Sequence, residues 1–395
     1  MPVAGSVISD PLRMTSTGST NPSAAPPAVP LLDLRAQYEQ LRDELLQAVT
    51  EVLDSQQCVN GPAIADFEAR AAEYCGTAHA VAVSSGTDAL LCSLMALEIG
   101  AGDEVIAPAF TFFATAGSIH RCGATPVFAD VDPTTFNITP EAIEAAITDR
   151  TRAIMPVHLF GQMAPMASIR AIADRHNLAI VEDAAQAIGA TQHGQAAGTV
   201  GELGCFSFFP TKNLGGLGDG GLIVTDDQAL AERCRSLRNH GQSRRYYHDH
   251  VGGNFRMDTI QAAYLSVKLA HLDRWSEARR ANAAHYGAKL RSVEGIACPS
   301  VAEGNVSIFN QYVIRAADRD ALKQYLADHQ IGSAVYYPLP LHQQPCFASL
   351  GYQPGDFPQA ERAAKEVLAL PIFPELTRQQ LDHVAETICS FYCHA

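Results

Sequence analysis

The sequence has no Cys-x-x-Cys pair, no internal repeat and no apolar stretch long enough to cross a membrane. Positive charge is scarce: 28 lysines and arginines stand against 42 aspartates and glutamates, a formal net charge of −14. That deficit argues against nucleic acid or an anionic membrane as the main partner. An anionic substrate would need positive charge concentrated locally. The ten cysteines mostly sit inside apolar runs, as free buried thiols do, so a reducing, cytoplasmic location is expected. Cys389, Cys393 and His394 lack a second ligand pair and read as core and tail residues, so no metal is expected. Residues 1–28 are rich in Ser, Thr, Pro, Gly and Ala. They lack a basic start followed by an apolar block, which predicts a disordered tail rather than a signal peptide.

What is present describes an ordinary globular chain. With 395 residues, 47% hydrophobic and 18% charged, it can build one large and one smaller core. Leu34, Tyr38, Leu41, Leu45, Val49 and Val52 recur at helical spacing behind a capping Asp33, and a second helix is expected over 64–74. Short apolar runs follow at 79–84, 104–109, 126–130, 153–159, 179–182 and 204–209. Helical patterns at 88–99, 114–122, 140–146 and 166–176 separate several of them. This alternation predicts an α/β fold, a mostly parallel sheet with helices on both faces. A long helical pattern over 257–290 leaves the sheet. Beyond it strands at 308–314 and 333–337 and helices at 321–329 and 378–391 predict a small C-terminal α+β domain. The expected division is a large α/β domain over 29–270 and a small one over 271–395.

Ligands of such sheets bind beyond the carboxyl ends of the strands, which selects four loops. Cys205–Gly221 reads as strand, proline turn, lone lysine, glycine-rich return and second strand. The short return makes the two strands antiparallel and puts Lys212 at the end of the sheet. A desolvated lysine there can lose its proton and attack a carbonyl; the alternative is a solvated loop lysine. Ser84-Ser85-Gly86-Thr87-Asp88 is a strand-to-helix turn whose amides suit a phosphate, or a plain helix cap. Asp183 ends an apolar strand and needs a positive partner, either a protonated pyridine nitrogen or an ordinary salt bridge. Phe112, in Thr111-Phe112-Phe113, could stack on a flat ring or belong to the core. Together the four loops match the needs of pyridoxal 5′-phosphate.

Beyond this inventory, SSGTDAL, EVIAPAFTFFATA, PVFADVD, PVHLFGQ, VEDAAQAIGA, SFFPTKNLGGLGDGG, RNHGQSRRY, GGNFRMD and VYYPLPLH occur in the order seen in one family. From about residue 29 onward the chain resembles the DegT/StrS-type nucleotide-sugar aminotransferases of the aspartate-aminotransferase fold (fold type I). The resemblance implies Lys212 as the Schiff-base lysine, Asp183 as partner of the pyridine nitrogen and Gln186 near the phenolic oxygen of the cofactor. It puts Gly86, Thr87 and Ser207 at the phosphate and Phe112 on the ring. Asn254 would reach the cofactor phosphate of the neighbouring subunit, so a homodimer with shared sites is implied. Arg256, Tyr336 and Tyr337 would contact the nucleotide-sugar, with L-glutamate as amino donor. Related sugar dehydratases carry histidine where Lys212 stands, which favours transamination here.

A regulator that binds the cofactor without turnover is a rival reading, although residues 1–28 are too short for a DNA-binding module. For the substrate, Arg244, Arg245 and Arg256 and nearby histidines gather in an acidic chain, as a diphosphate or carboxylate would require. A solvated loop is the plainer reading of that cluster. Similarity within this family favours C3 of UDP-2-acetamido-3-keto-hexuronic acid, with dTDP-3-keto-6-deoxyhexose as the alternative.

Overall fold

The computed structural model describes residues 28–393. The expected tail, apart from its last residue, and His394 lie outside them.

Helix α1 (Leu34–Ser55) starts where predicted, because the Asp33 carboxylate accepts the amides of Arg35 and Ala36 at 2.9 and 3.3 Å. Helix α2 (Pro62–Cys75) begins on a proline, whose missing amide costs nothing in a first turn. Strand and helix then alternate: β1 (His79–Val83), α3 (Gly86–Ala96), β2 (Glu104–Pro108), α4 (Ala114–Arg121) and β3 (Thr125–Ala129). They continue as α5 (Pro140–Ala146), β4 (Thr151–Ile154), α6 (Met166–His176), β5 (Ala179–Asp183), β6 (Leu203–Ser207), β7 (Gly221–Thr225) and α7 (Gln228–Leu237).

These strands form one seven-stranded sheet in the order β1-β7-β6-β5-β4-β2-β3. Neighbours from β6 across to β3 are parallel, while β7 runs antiparallel to both β6 and β1. Side chains on both faces are buried: Val81 and Val83 pack with Ile223 on one side, Ala82 with Leu222 and Val224 on the other. A sheet covered on both sides therefore presents only its strand ends to ligands.

An exposed hairpin, β8 (Gln242–Arg244) and β9 (Tyr247–His248), precedes α8 (Thr259–Leu269) and α9 (Leu272–Leu290). Next come β10 (Tyr312–Ala316), α10 (Arg319–Asp328), α11 (Pro358–Glu366), β11 (Val367–Leu370) and α12 (Arg378–Cys393). Helix α9 joins two cores. Its Leu272 and Trp275 enter the core of the large sheet, whereas Tyr286 and Leu290 pack with Ile314, Leu368 and Ile388. Val29 belongs to this second core and bridges to Ile331. A further cluster seats Leu341, Phe347 and Val367 on Phe110, Phe128 and Val157. Through it the C-terminal segment lies over the ends of β2 and β3.

The structure corrects several expectations. The helical pattern over 257–290 is two helices broken at Ala270 and His271. The strand expected at 308–314 starts only at Tyr312, because Phe309 has φ 44° and Asn310 turns toward Asn213. Residues 333–337 are not a strand. Ala334 alone bridges to Ala369, and Pro338 and Pro340 cannot supply ladder amides beyond it. Helices α7 and α11 and strand β11 were not anticipated by the apolar pattern.

Candidate active site

The carboxyl ends of β1, β5 and β6 place Val83, Asp183 and Ser207 on one edge of the sheet, and Gly221 opens β7 between Val83 and Ser207. This register forces close approach. A Cβ on Gly86 would lie 2.7 Å from the Ser207 Cβ, and one on Gly221 would lie 2.3 Å from the Ser85 carbonyl oxygen. Only glycine fits at either position, so the turn into α3 rests directly on Ser207. Ser85 also caps α3, its Oγ accepting the Asp88 amide at 3.1 Å. Gly86, Thr87 and Ser207 are thus brought together at a helix N-terminus, whose amides and dipole suit a phosphate.

Asp183 and its neighbour Glu182 point to opposite faces of β5, as successive strand residues must. Glu182 is wholly buried. His158 Nε2 lies 2.6 Å from its Oε2, and the amides of Gly198, Val200 and Gly201 donate to its two oxygens at 2.8, 2.7 and 2.6 Å. Since His158 Nδ1 accepts the Ala164 amide at 3.1 Å, its proton sits on Nε2 and is given to Glu182. Burial alone would raise the Glu182 carboxyl, but His158 and these amides outweigh it and hold the pKa below the usual range.

Asp183 is 4% exposed, and among the described residues no basic side chain lies within ion-pair distance of it. Thr115 Oγ1 donates to its Oδ2 at 2.8 Å and the Ala185 amide to its Oδ1 at 3.2 Å. Desolvation raises its pKa against the pull of these two bonds and of the Lys212 charge. The ordinary salt bridge considered for Asp183 is therefore not found.

Lys212 sits in a loop anchored by Phe206, Phe208 and Leu214, each at most 1% exposed, with Phe208 edge-on to Phe67 at 5.5 Å. The Lys212 amide donates to the Phe209 carbonyl at 2.8 Å, and Gly216 N–H to Phe208 at 2.8 Å. Asn213 donates to the Ile308 carbonyl at 3.1 Å and accepts from Asn310 at 2.8 Å. On the other side the buried Lys268 of α8 donates to the Gly215 carbonyl at 2.7 Å, its ammonium 5.4 Å from the Tyr264 ring and 5.7 Å from that of Trp275. The loop is thereby held from both flanks. Lys212 itself is half-buried. Desolvation pulls its ammonium down to about 8, against the opposing charge of Asp183.

Phe112 is 55% exposed, with its ring centroid 6.0 Å from that of Tyr337, so it is not a core residue. The Gln186 side chain donates to the Tyr337 hydroxyl at 3.0 Å and accepts the Phe160 amide at 2.8 Å. The first bond ties the loop after β5 to the C-terminal segment, and the second ties it to the loop after β4. Tyr336 packs beside Tyr337 with ring centroids 5.8 Å apart. Arg256 bridges by its backbone to Val83, and its guanidinium donates to Asn239 at 2.8 Å. Asn254 is exposed and bridges to Asn239. Arg244 and Arg245 lie on the outer hairpin with their guanidiniums over the rings of Tyr247 and Tyr246 at 3.8 and 5.1 Å.

Thr115, His158 and Lys268 were missed by sequence reasoning. Thr115 had one available signal: it lies four residues after Thr111, so two hydroxyls share one face at the start of a helix.

Residues 39–389 match the DegT/DnrJ/EryC1/StrS aminotransferase family. The chain is 52% identical over 368 residues to a "pleiotropic regulatory protein" of Geobacillus stearothermophilus, covering 93% of this chain and 99% of that one. It is 46% identical to the UDP-N-acetyl-3-dehydro-α-D-glucosamine 3-aminotransferase of Acidithiobacillus ferrooxidans, covering 91% and 97%. The solved structure of DesV from S. venezuelae in complex with a ketimine intermediate is similar at a TM-score of 0.91. It is 45% identical, covering 93% of this chain and 99% of that one.

Proposed function

The chain belongs to the DegT/DnrJ/EryC1/StrS aminotransferase family, and from that premise we propose that it carries pyridoxal 5′-phosphate and passes an amino group from L-glutamate to C3 of a nucleotide-linked 3-keto-sugar. The observation that carries this reading is the pairing at the sheet edge. A buried aspartate with no basic side chain within ion-pair distance ends β5, and the loop that leaves the neighbouring strand β6 carries Lys212, whose ammonium is pulled down to about 8. Buried charges are normally paired, so Asp183 is suited to a cation that arrives with a ligand. A pyridinium nitrogen meets that need, and the cradle of Gly86, Thr87 and Ser207 fits the phosphate of the same molecule.

When bound, the cofactor supplies an electron sink for the amino-acid α-carbon. The protein does the rest. Lys212 Nζ forms the covalent anchor and, once displaced, holds and returns the proton at the reacting carbon. Its depressed pKa keeps about one amine in ten unprotonated at pH 7. Asp183 would hold the positive ring nitrogen, Phe112 would cover the ring and Gln186 would meet the phenolic oxygen. The clamps on Asn213 and Gly215 keep Lys212 from drifting out of reach, which matters because small misplacements are costly in rate.

For the substrate we read UDP-2-acetamido-3-keto-hexuronic acid, with Arg256, Tyr336 and Tyr337 contacting it. The 46% identical relative, named for a UDP-linked N-acetyl 3-keto-sugar, supports the nucleotide, the 2-acetamido group and the position of amination. The carboxylate at C6 rests on the arginines at 244, 245 and 256. The alternative, dTDP-3-keto-6-deoxyhexose, is favoured by the apolar rim where Phe113 stacks on Phe347 at 5.7 Å. Comparing kcat/KM for both with L-glutamate tests the choice. A preference for the 6-deoxy sugar overturns the uronate reading and leaves the reaction class intact. No conversion of cofactor absorbance by glutamate would instead favour a non-catalytic regulator, a role matching the name of the 52% identical relative.

The exposed Asn254 is read as completing the site of a second copy. Mixing inactive Lys212→Ala and Asn254→Ala subunits should then restore activity through hybrid dimers carrying one intact site. No recovery despite proven subunit exchange would place Asn254 in its own subunit's site.

A further inference from the structure

We propose that Thr115 is a positioning residue that keeps the proton on the ligand's ring nitrogen rather than on Asp183, and that Thr111 supports it. The inference rests on the cofactor reading above. Thr115 is fully buried on the first turn of α4, and its Oγ1 donates to Asp183 Oδ2 at 2.8 Å. A hydroxyl has one proton to give. The 3.3 Å contact between the Thr111 and Thr115 hydroxyls is therefore made with Thr111 as donor. The result is a directed chain, Thr111 to Thr115 to Asp183. Asp183 Oδ1 receives one further bond, from the Ala185 amide.

The consequence follows from the electrostatics of the place. In a site that desolvates a carboxylate, a proton shared between an aspartate and a pyridine can rest on either partner. A neutral acid facing a neutral ring avoids buried charge, whereas the ion pair has the protonated ring that withdraws electrons. A donor aimed at the carboxylate stabilises its charged form and tips the balance toward the ion pair. Thr115 is the one side-chain donor to Asp183 among the described residues. Its contact to Thr111 also polarises its own hydroxyl in the direction that strengthens the bond to Asp183. Glu182 marks the contrast. Four donors hold it as a carboxylate whatever binds, while Asp183 depends on two.

The test uses holoenzyme reconstituted with pyridoxal 5′-phosphate labelled with 15N in the ring. In the unaltered protein the ring nitrogen should resonate as a protonated pyridinium. Thr115→Val keeps the shape and removes the donor, so the signal should move toward the unprotonated position. Its kcat should fall about tenfold or more, the scale of a lost hydrogen bond to a charged group. Thr115→Ser should restore both signal and rate, which a packing role of the γ-methyl would not. Thr111→Val should move the signal the same way by less, and it serves as the second variant if Thr115→Val fails to fold or to hold cofactor. An unmoved signal in the folded variants overturns the assignment of Thr115. Failure of the unaltered protein to bind the cofactor covalently overturns the cofactor reading instead.

Discussion

Two carboxylates stand side by side at the tip of β5 and live in opposite worlds. On one face Glu182 is closed in by the His158 ring and three backbone amides. On the other face Asp183 has one threonine and one amide, and the charge of Lys212, itself pulled down to about 8, acts on it from beyond ion-pair distance. Both are buried, and burial alone does not separate them. What separates them is satisfaction: Glu182 is saturated by the protein, and Asp183 is left with capacity for one more partner. A carboxylate that holds a fold together is thus told apart from one kept ready for a ligand.

The comparison breaks if the two residues respond alike to neutralisation. Asp183→Asn should leave the protein folded while lowering turnover by about 10² to 10³, the usual effect of removing one preorganised electrostatic partner. A near-normal rate, measured on protein of unchanged Tm, would make Asp183 a structural residue like its neighbour. Glu182→Gln should do the reverse. Glutamine keeps one acceptor oxygen but sets an NH2 against the two donors that faced the other, and stability should fall by about 3 kcal/mol in denaturant unfolding. The folded fraction should keep its kcat within a few-fold.

A smaller effect sharpens the contrast on the open side. Because burial lowers the Lys212 pKa, its reactive amine form is lost as pH falls below about 8. The rate at which apoprotein captures pyridoxal 5′-phosphate should drop about tenfold for each pH unit below that point and level off above it. Stopped-flow absorbance from pH 6 to 9 reads this directly. A plateau reached only near pH 10.5 would mean that Lys212 is a solvated lysine after all.

Much of this architecture was legible because local chemistry and global fold agree. Asp33 caps α1, Met166–His176 forms a helix at its expected bounds, and the short glycine-rich return makes β6 and β7 antiparallel. Lys212 stood out as a lone lysine ahead of a glycine-rich return, and Asp183 as a carboxylate at the end of an apolar strand. Thr115 did not stand out. Its importance depends on α4 packing over β5, a contact between residues 68 positions apart that no local pattern encodes. Lys268 was hidden by its setting in an amphipathic helix, where a lysine ordinarily faces water. Residues 333–337 misled because the run Val335-Tyr336-Tyr337 is rich in strand-forming residues, while the neighbouring prolines deny it a ladder.

The central claim is that Lys212 is the residue that holds the cofactor. The chain has only five lysines, at 212, 268, 289, 323 and 365. Protein incubated with pyridoxal 5′-phosphate, reduced with borohydride and digested should carry one stable pyridoxyl adduct, on the peptide containing Lys212. Addition of L-glutamate before reduction should remove that adduct as the cofactor leaves the lysine. An adduct on Lys268 or on the exposed lysines, or none at all, would contradict the assignment of the site.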